Sequence, residues 1–219
     1  MSAAGQVGPG DTRRPFPLER LAALSGAASV VLAFAGISFA DLGGKGLSPD
    51  QSVDLVGAGF AEHAGSSRVG ATLLLASVTL SLIFLGPLWS RLQRGTEWLA
   101  VVGVAGGVVG AAFLLETAMF TIAAAVTGDV GDGHTARTLL ILGYESARAV
   151  VAPALATVAA ATIAGFRYNV FPSWFSALSL GFSLLLLIAL LPIGPAGLLG
   201  ATSWLWTVIA SLWLAFSPD

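Results

Sequence analysis

Cysteine is absent from this chain, which excludes disulfides, thiolate metal sites, iron–sulfur clusters and cysteine nucleophiles together and leaves the redox compartment unreadable. Charge is scarce as well. Only 10% of the 219 residues are charged, where soluble domains carry about a quarter. Ten basic against twelve acidic residues, a formal charge of −2 and no polybasic run exclude a nucleic-acid binder. Lysine occurs once, as Lys45, the other basic residues being arginine; with abundant Ala and Gly, that is the composition of a GC-rich bacterial genome.

What remains is apolar. Hydrophobic residues make up 56% of the chain and mean hydropathy is +0.86, so the fold class is an all-α, polytopic membrane helical bundle. A hydrocarbon core needs about 20 apolar residues per crossing helix. Six such runs occur, at Leu21–Ala40, Val69–Leu88, Trp98–Val126, Thr138–Gly165, Trp174–Leu191 and Ala196–Phe216. They are continuous, whereas a barrel strand would alternate lipid-facing with lumen-facing residues. Residues 18–219 therefore read as a single transmembrane domain behind a disordered cytoplasmic tail at 1–17, rich in Gly, Pro, Ser and Ala. Arg13-Arg14 before an apolar run also resembles a twin-arginine signal ending near Ala40, but the run is too long and Pro15 and Pro17 break the motif.

Orientation follows from basic residues. Arg13, Arg14, Arg20, Arg91, Arg94 and Arg167 flank one side; Lys45, Arg68 and Arg137 sit on the other among Asp41, Asp50, Asp54, Glu62, Asp129 and Asp132. Both termini are thus expected in the cytoplasm of a bacterium, the chain lying in the inner membrane, with Trp89, Trp98 and Trp174 forming an interfacial belt. The outer loop at 41–67 carries Ser48-Pro49-Asp50-Gln51, a capping-box pattern, followed by Val53, Val56 and Phe60 on one helical face. It predicts a short amphipathic outer-surface helix, serving as loop packing or as a lid over an outward-facing cavity.

Gly103 with Gly107, and Gly106 with Gly110, form two overlapping GxxxG patterns in the third span, suited to close packing within the bundle or to a homodimer. Ser176, Ser179 and Ser183, then Ser203, Thr207 and Ser211, form hydroxyl stripes expected to pack between helices. No inverted repeat of three plus three spans is visible, which weighs against alternating access.

The chemistry rests on Glu116, Glu145 and Arg148, which lie within spans, where a charge is costly and points to a buried or hydrated interior. Counted from the outer ends, all three fall at similar depth in the outer half. Glu145 and Arg148 are spaced i,i+3 on one face. Two carboxylates against one arginine leave one acid partly uncompensated, as a general acid or a proton carrier requires, with Tyr144 or Thr117 as a further partner. An ion-paired pin between helices is the structural alternative. Pro153 predicts a kink and a free carbonyl beside the cluster. Phe113, Phe120, Tyr144, Trp204 and Trp206 would line an apolar pocket. His63, Asp129, Asp132 and His134 show no metal-ligand spacing, so neither metal nor cofactor is expected.

The run Phe166-Arg167-Tyr168-Asn169-Val170-Phe171-Pro172-Ser173-Trp174, followed by Ser176, Leu178 and Gly181, resembles a bacterial six-span membrane family of unknown function, in which a basic-aromatic turn ends one helix and Pro-x-Trp opens the next. Glu116 and Arg148 look similar too, and the resemblance covers most of the chain. In kind, a small bundle with buried acids and aromatic rings is similar to membrane-embedded terpene cyclases. Two functions stand open: a lyase- or isomerase-type enzyme using acid–base chemistry on a lipidic or isoprenoid substrate, and a transporter or ligand-binding membrane protein using the same cluster for a proton or a polar guest. Membrane lipid and an apolar small molecule are the expected partners.

The topology makes an accessible prediction in a chain free of native cysteine. Gln93→Cys should resist a membrane-impermeant thiol reagent applied from outside, and Leu47→Cys should react; the reverse pattern overturns the orientation.

Overall fold

In the computed structural model, residues 17–40, 48, 50–191 and 196–217 are described. The proposed tail, apart from Pro17, and Asp41, Lys45 and Pro49 of the outer loop lie outside the described residues. The described residues form seven helices: α1 (Pro17–Ala40), α2 (Val53–Leu92), α3 (Glu97–Asp129), α4 (Gly133–Ala149), α5 (Val151–Tyr168), α6 (Ser173–Ala189) and α7 (Ala196–Phe216). No strand occurs among the described residues. Four paths are long and apolar enough to cross a membrane: Leu18–Ala40, Val53–Leu92, Glu97–Asp129 and the combined Gly133–Tyr168. Two further apolar helices are shorter. This is a helical membrane protein.

Helix ends follow local chemistry. Thr96 caps α3 by accepting from the Leu99 amide at 3.4 Å. Gly131, at φ +85°, turns the chain between α3 and α4, where only glycine adopts that backbone freely. Asp132 then caps α4, its carboxylate accepting from Thr135 N at 3.0 Å; hydrogen bonds from the Thr135 hydroxyl and then from this amide hold its pKa below the ordinary carboxylate value. At the basic-aromatic turn, Asn169 closes α5 in the left-handed conformation, φ 54°, and Pro172 precedes α6.

Two breaks shape the rest. The helix stops at Ala149 and resumes at Val151, where Pro153 cannot donate to the Ala149 carbonyl. This is the expected kink. The second break is at His63, whose φ −122° and ψ 19° interrupt α2. The expected outer-surface helix is therefore the leading arm of α2 rather than an element of its own. It starts later than the capping box predicts: Ser52 caps the helix through Leu55 N, while the Ser48 carbonyl closes a turn with Gln51 N. Val56 and Phe60 are buried as expected, against Ala124, Ala125 and Ala136 of α3 and α4.

Sequence neighbours pack on one another, and α7 packs back on α1, so α1, α2, α3, α5, α6 and α7 close into a ring. Helix α4 stands outside it, against α3 and the leading arm of α2. The main core lies toward the Leu92–Glu97 end. There Phe171, Phe175, Trp206 and Trp213 cluster with ring centroids 5.0–6.0 Å apart, at distances that favour offset or tilted rings. Arg91 lies 4.9 Å from the centre of the Trp213 ring and donates to the Val170 carbonyl. Trp98 and Trp174 are exposed at this end, as an interfacial belt requires, whereas Trp89 is half-buried against the core.

The hydroxyl stripes do pack between helices. Ser211 donates to the Ala23 carbonyl and accepts from Ala27 N, Ser179 accepts from Trp206 Nε1 at 2.9 Å, and Thr162 meets Ser183 at 3.3 Å. The glycine face of α3 is filled from within the chain. Gly103 meets Leu92 and Ala160, Gly106 meets Pro153 and Thr157, and Gly107 meets Leu85. Packing inside the bundle thus uses Gly103, Gly106 and Gly107.

The two glycines of one motif should differ sharply. A Cβ on Gly106 would lie 2.6 Å from the Pro153 carbonyl oxygen, but on Gly110 nothing lies nearer than 3.9 Å. Gly106→Ala should cost about 1–3 kcal/mol in reversible unfolding, and Gly110→Ala close to nothing; equal losses would refute the packing.

Candidate functional site

No charged residue is buried among the described residues, which corrects the expectation of a buried Glu116/Glu145/Arg148 cluster. Arg148 pairs with Glu145 at 3.4 Å, but the two side chains are 56% and 63% exposed. Glu116 is exposed too and accepts from Ser146 Oγ at 3.3 Å. It thus reaches α4 one residue from Glu145, across the α3–α4 contact that was expected, without meeting Arg148.

Helix length explains the difference. At about 1.5 Å of rise per residue, the 33 residues of α3 extend about 50 Å, well beyond a hydrocarbon core of about 30 Å. Taking the exposed Trp98 and Trp174 to mark one interface, Glu116 stands about 28 Å along α3 from Glu97, and Arg148 about 30 Å along α4–α5 from Tyr168. The expectation of burial counted inward from the far ends of the apolar runs; along their helices these residues stand about 30 Å from the tryptophan end, about the thickness of a hydrocarbon core.

Arg148 borders a cavity of about 400 Å³, within the range of small-molecule sites. Its walls come from the end of α1, from α2, α3, α4 and α5, and from the start of α7. Phe60, Leu74, Leu114, Leu139, Leu140 and Trp204 make it largely apolar. Thr117, Thr121, Tyr144 and Ser203 add hydroxyls, and Arg148 is the one charged residue of its wall among the described residues. Thr117 donates to Phe113 O at 2.9 Å and Gly143 O at 3.4 Å, tying α3 to α4 along the cavity's edge. A second cavity of about 110 Å³ lies inside the ring and shares Leu114, Val150, Ser203 and Trp204 with the first. Hydroxyls of Ser29, Ser77, Ser81, Thr157 and Thr207 line it. Several donate to backbone carbonyls, including Ser77 to Ser29 O and Thr157 to Gly103 O, and so present lone pairs inward.

Of the expected pocket residues, Tyr144 and Trp204 line the larger cavity, and so does Arg148 of the charged cluster. Trp206 does not: it is 2% exposed, packed on Phe175, and borders the smaller cavity. Phe113 and Phe120 lie outside both walls, Phe120 packing at Gly143 between α3 and α4. Neither carboxylate lines either cavity. Among the loop residues, Asp129 pairs with Arg68 at 3.2 Å, Asp132 caps α4, and His63 stands 3.7 Å from Glu62.

Sequence reading missed Phe60, Leu74, Leu114, Leu139 and Leu140 as cavity walls. Their apolar periodicity is that of any packed helix, and only the separation of α4 from the ring makes a cavity of them. Comparison with family models, with curated proteins and with solved structures gives no match.

Because the Glu145–Arg148 pair is a single exposed contact, its loss should matter little to folding. Arg148→Ala should cost under about 1 kcal/mol, not the 3–5 kcal/mol typical of a stranded buried charge, in thermal or denaturant unfolding. A loss at the larger value would place the arginine in a buried network.

Proposed function

We propose that this protein is a six-span inner-membrane protein of a bacterium, both termini cytoplasmic, that binds a lipid-like apolar molecule in the larger cavity. The observation that carries the reading is the cavity itself: about 400 Å³, mostly apolar, with a few polar groups in its wall, Tyr144 and Arg148 among them. The topology rests on the six apolar runs and the arginine asymmetry. The shortest span, α6, has 17 residues and covers about 25 Å, a shortfall that local bilayer thinning accommodates at modest cost.

Acid–base catalysis on a lipidic or isoprenoid substrate has less support. A general acid must come within hydrogen-bond reach of the reacting atom, and Glu116 and Glu145 stand outside the cavity wall. Binding of a guest needs no carboxylate there.

Trp204, in the walls of both cavities, supplies a reporter. In nanodiscs, a bromine-tipped dodecyl amphiphile should quench tryptophan fluorescence with a saturable component that disappears in Trp204→Phe and in Ala147→Phe, the latter narrowing the cavity. Quenching that only tracks the probe's share of the bilayer, for every head group tried, would refute the reading.

A further inference from the structure

Resting on the guest-binding reading, we infer that the guest is a single-chain amphiphile with an anionic head, that Arg148 binds this head, and that Glu145 is the internal carboxylate it displaces. Three observations carry this. Arg148 is the one charged member of the cavity wall among the described residues, so any charge recognition there is for an anion. It stands about 30 Å along α4–α5 from Tyr168, about one hydrocarbon thickness, so on the guest-binding reading its guanidinium meets a head group while the apolar wall takes the chain. Its engagement with Glu145 is one N–H contact at 3.4 Å between half-exposed groups, a weak pairing.

An incoming phosphate or carboxylate can accept two parallel N–H bonds from the planar guanidinium, which is stronger than the single long contact it replaces. Displaced, Glu145 turns to water from a helix face already 63% exposed. The apolar wall beside Arg148, at Leu114, Leu140 and Trp204, then covers the chain. A neutral head would leave the Arg148–Glu145 pair intact and gain only the apolar contact. Charge complementarity therefore selects the head, while the cavity selects the chain.

The test uses the full-length protein in nanodiscs and Trp204-dependent quenching by two probes, a bromine-tipped dodecyl phosphate and the matching bromine-tipped dodecanol. The phosphate should bind at least about tenfold more tightly, as a charge-assisted bond supplies. Arg148→Ala should remove that preference by weakening the phosphate far more than the alcohol, Arg148→Lys should restore part of it, and Glu145→Gln should tighten the phosphate alone. Inorganic phosphate by itself should fail to displace the probe at millimolar concentration. Equal affinities for phosphate and alcohol in the wild type, or an Arg148→Ala variant that weakens both alike, overturn the anionic head while leaving the guest reading standing. Displacement by inorganic phosphate overturns the amphiphile in favour of a free-anion site. Absence of saturable quenching with both probes defeats the guest reading itself.

Discussion

Backbone amides in hydrocarbon have no partner except their own helix, so a bilayer forces helices upon this chain but sets only their minimum length. Here the lengths are unequal, and much else depends on it. Helices α6 and α7 have 17 and 21 residues, near the thickness of the apolar layer, while α2, α3 and the α4–α5 path run to 40, 33 and 36. Three long paths must outlast the short ones at one end. What protrudes is the leading arm of α2, the last turns of α3, and α4, joined by a small core of their own around Val56, Phe60 and Ala136.

Pro153 then decides where the protruding part separates from the ring. With the Ala149 carbonyl left without its helical donor, the chain breaks at Val150, and α4 follows α3 and the α2 arm instead of continuing the ring packing of α5. The larger cavity lies in the resulting gap, between α4 and the ends of α1 and α7. Deeper in the ring, close packing leaves little space. Glycines of α3 admit Leu85, Leu92 and Thr157, and buried serines and threonines bond to carbonyls, so polar side chains are buried without orphaned donors. One exception is Ser67, fully buried with no hydrogen-bond partner among the described residues.

Electrostatics follows the same geometry. A lone charge in the hydrocarbon centre is expensive, and the chain has none buried among its described residues. Glu116, Glu145 and Arg148 are exposed on α3 and α4. Of the three, the arginine borders the larger cavity and the carboxylates do not. At the tryptophan end, Arg91 is held by the Trp213 ring and the Val170 carbonyl, anchoring α2 to α7 and to the α5–α6 turn.

Class, helical architecture and the kink at Pro153 were legible in the sequence, because apolar run length, missing charge and a proline within a run act locally and need no knowledge of neighbours. The buried face of Val56 and Phe60 and the role of the hydroxyl stripes were legible for the same reason of periodicity. The exposure of the charged residues was not: the final turns of α3 are apolar where the α2 arm and α4 cover them, so an apolar run did not by itself mark buried surroundings for Glu116. Nor could the sequence distinguish Trp204 from Trp206: two residues apart on a helix they point to different faces, and only the packing of α7 puts one at the larger cavity and the other in the core. Composition and periodicity thus determined what kind of molecule this is, while the site came from which long helix covers which, a matter of contacts between residues far apart in the chain.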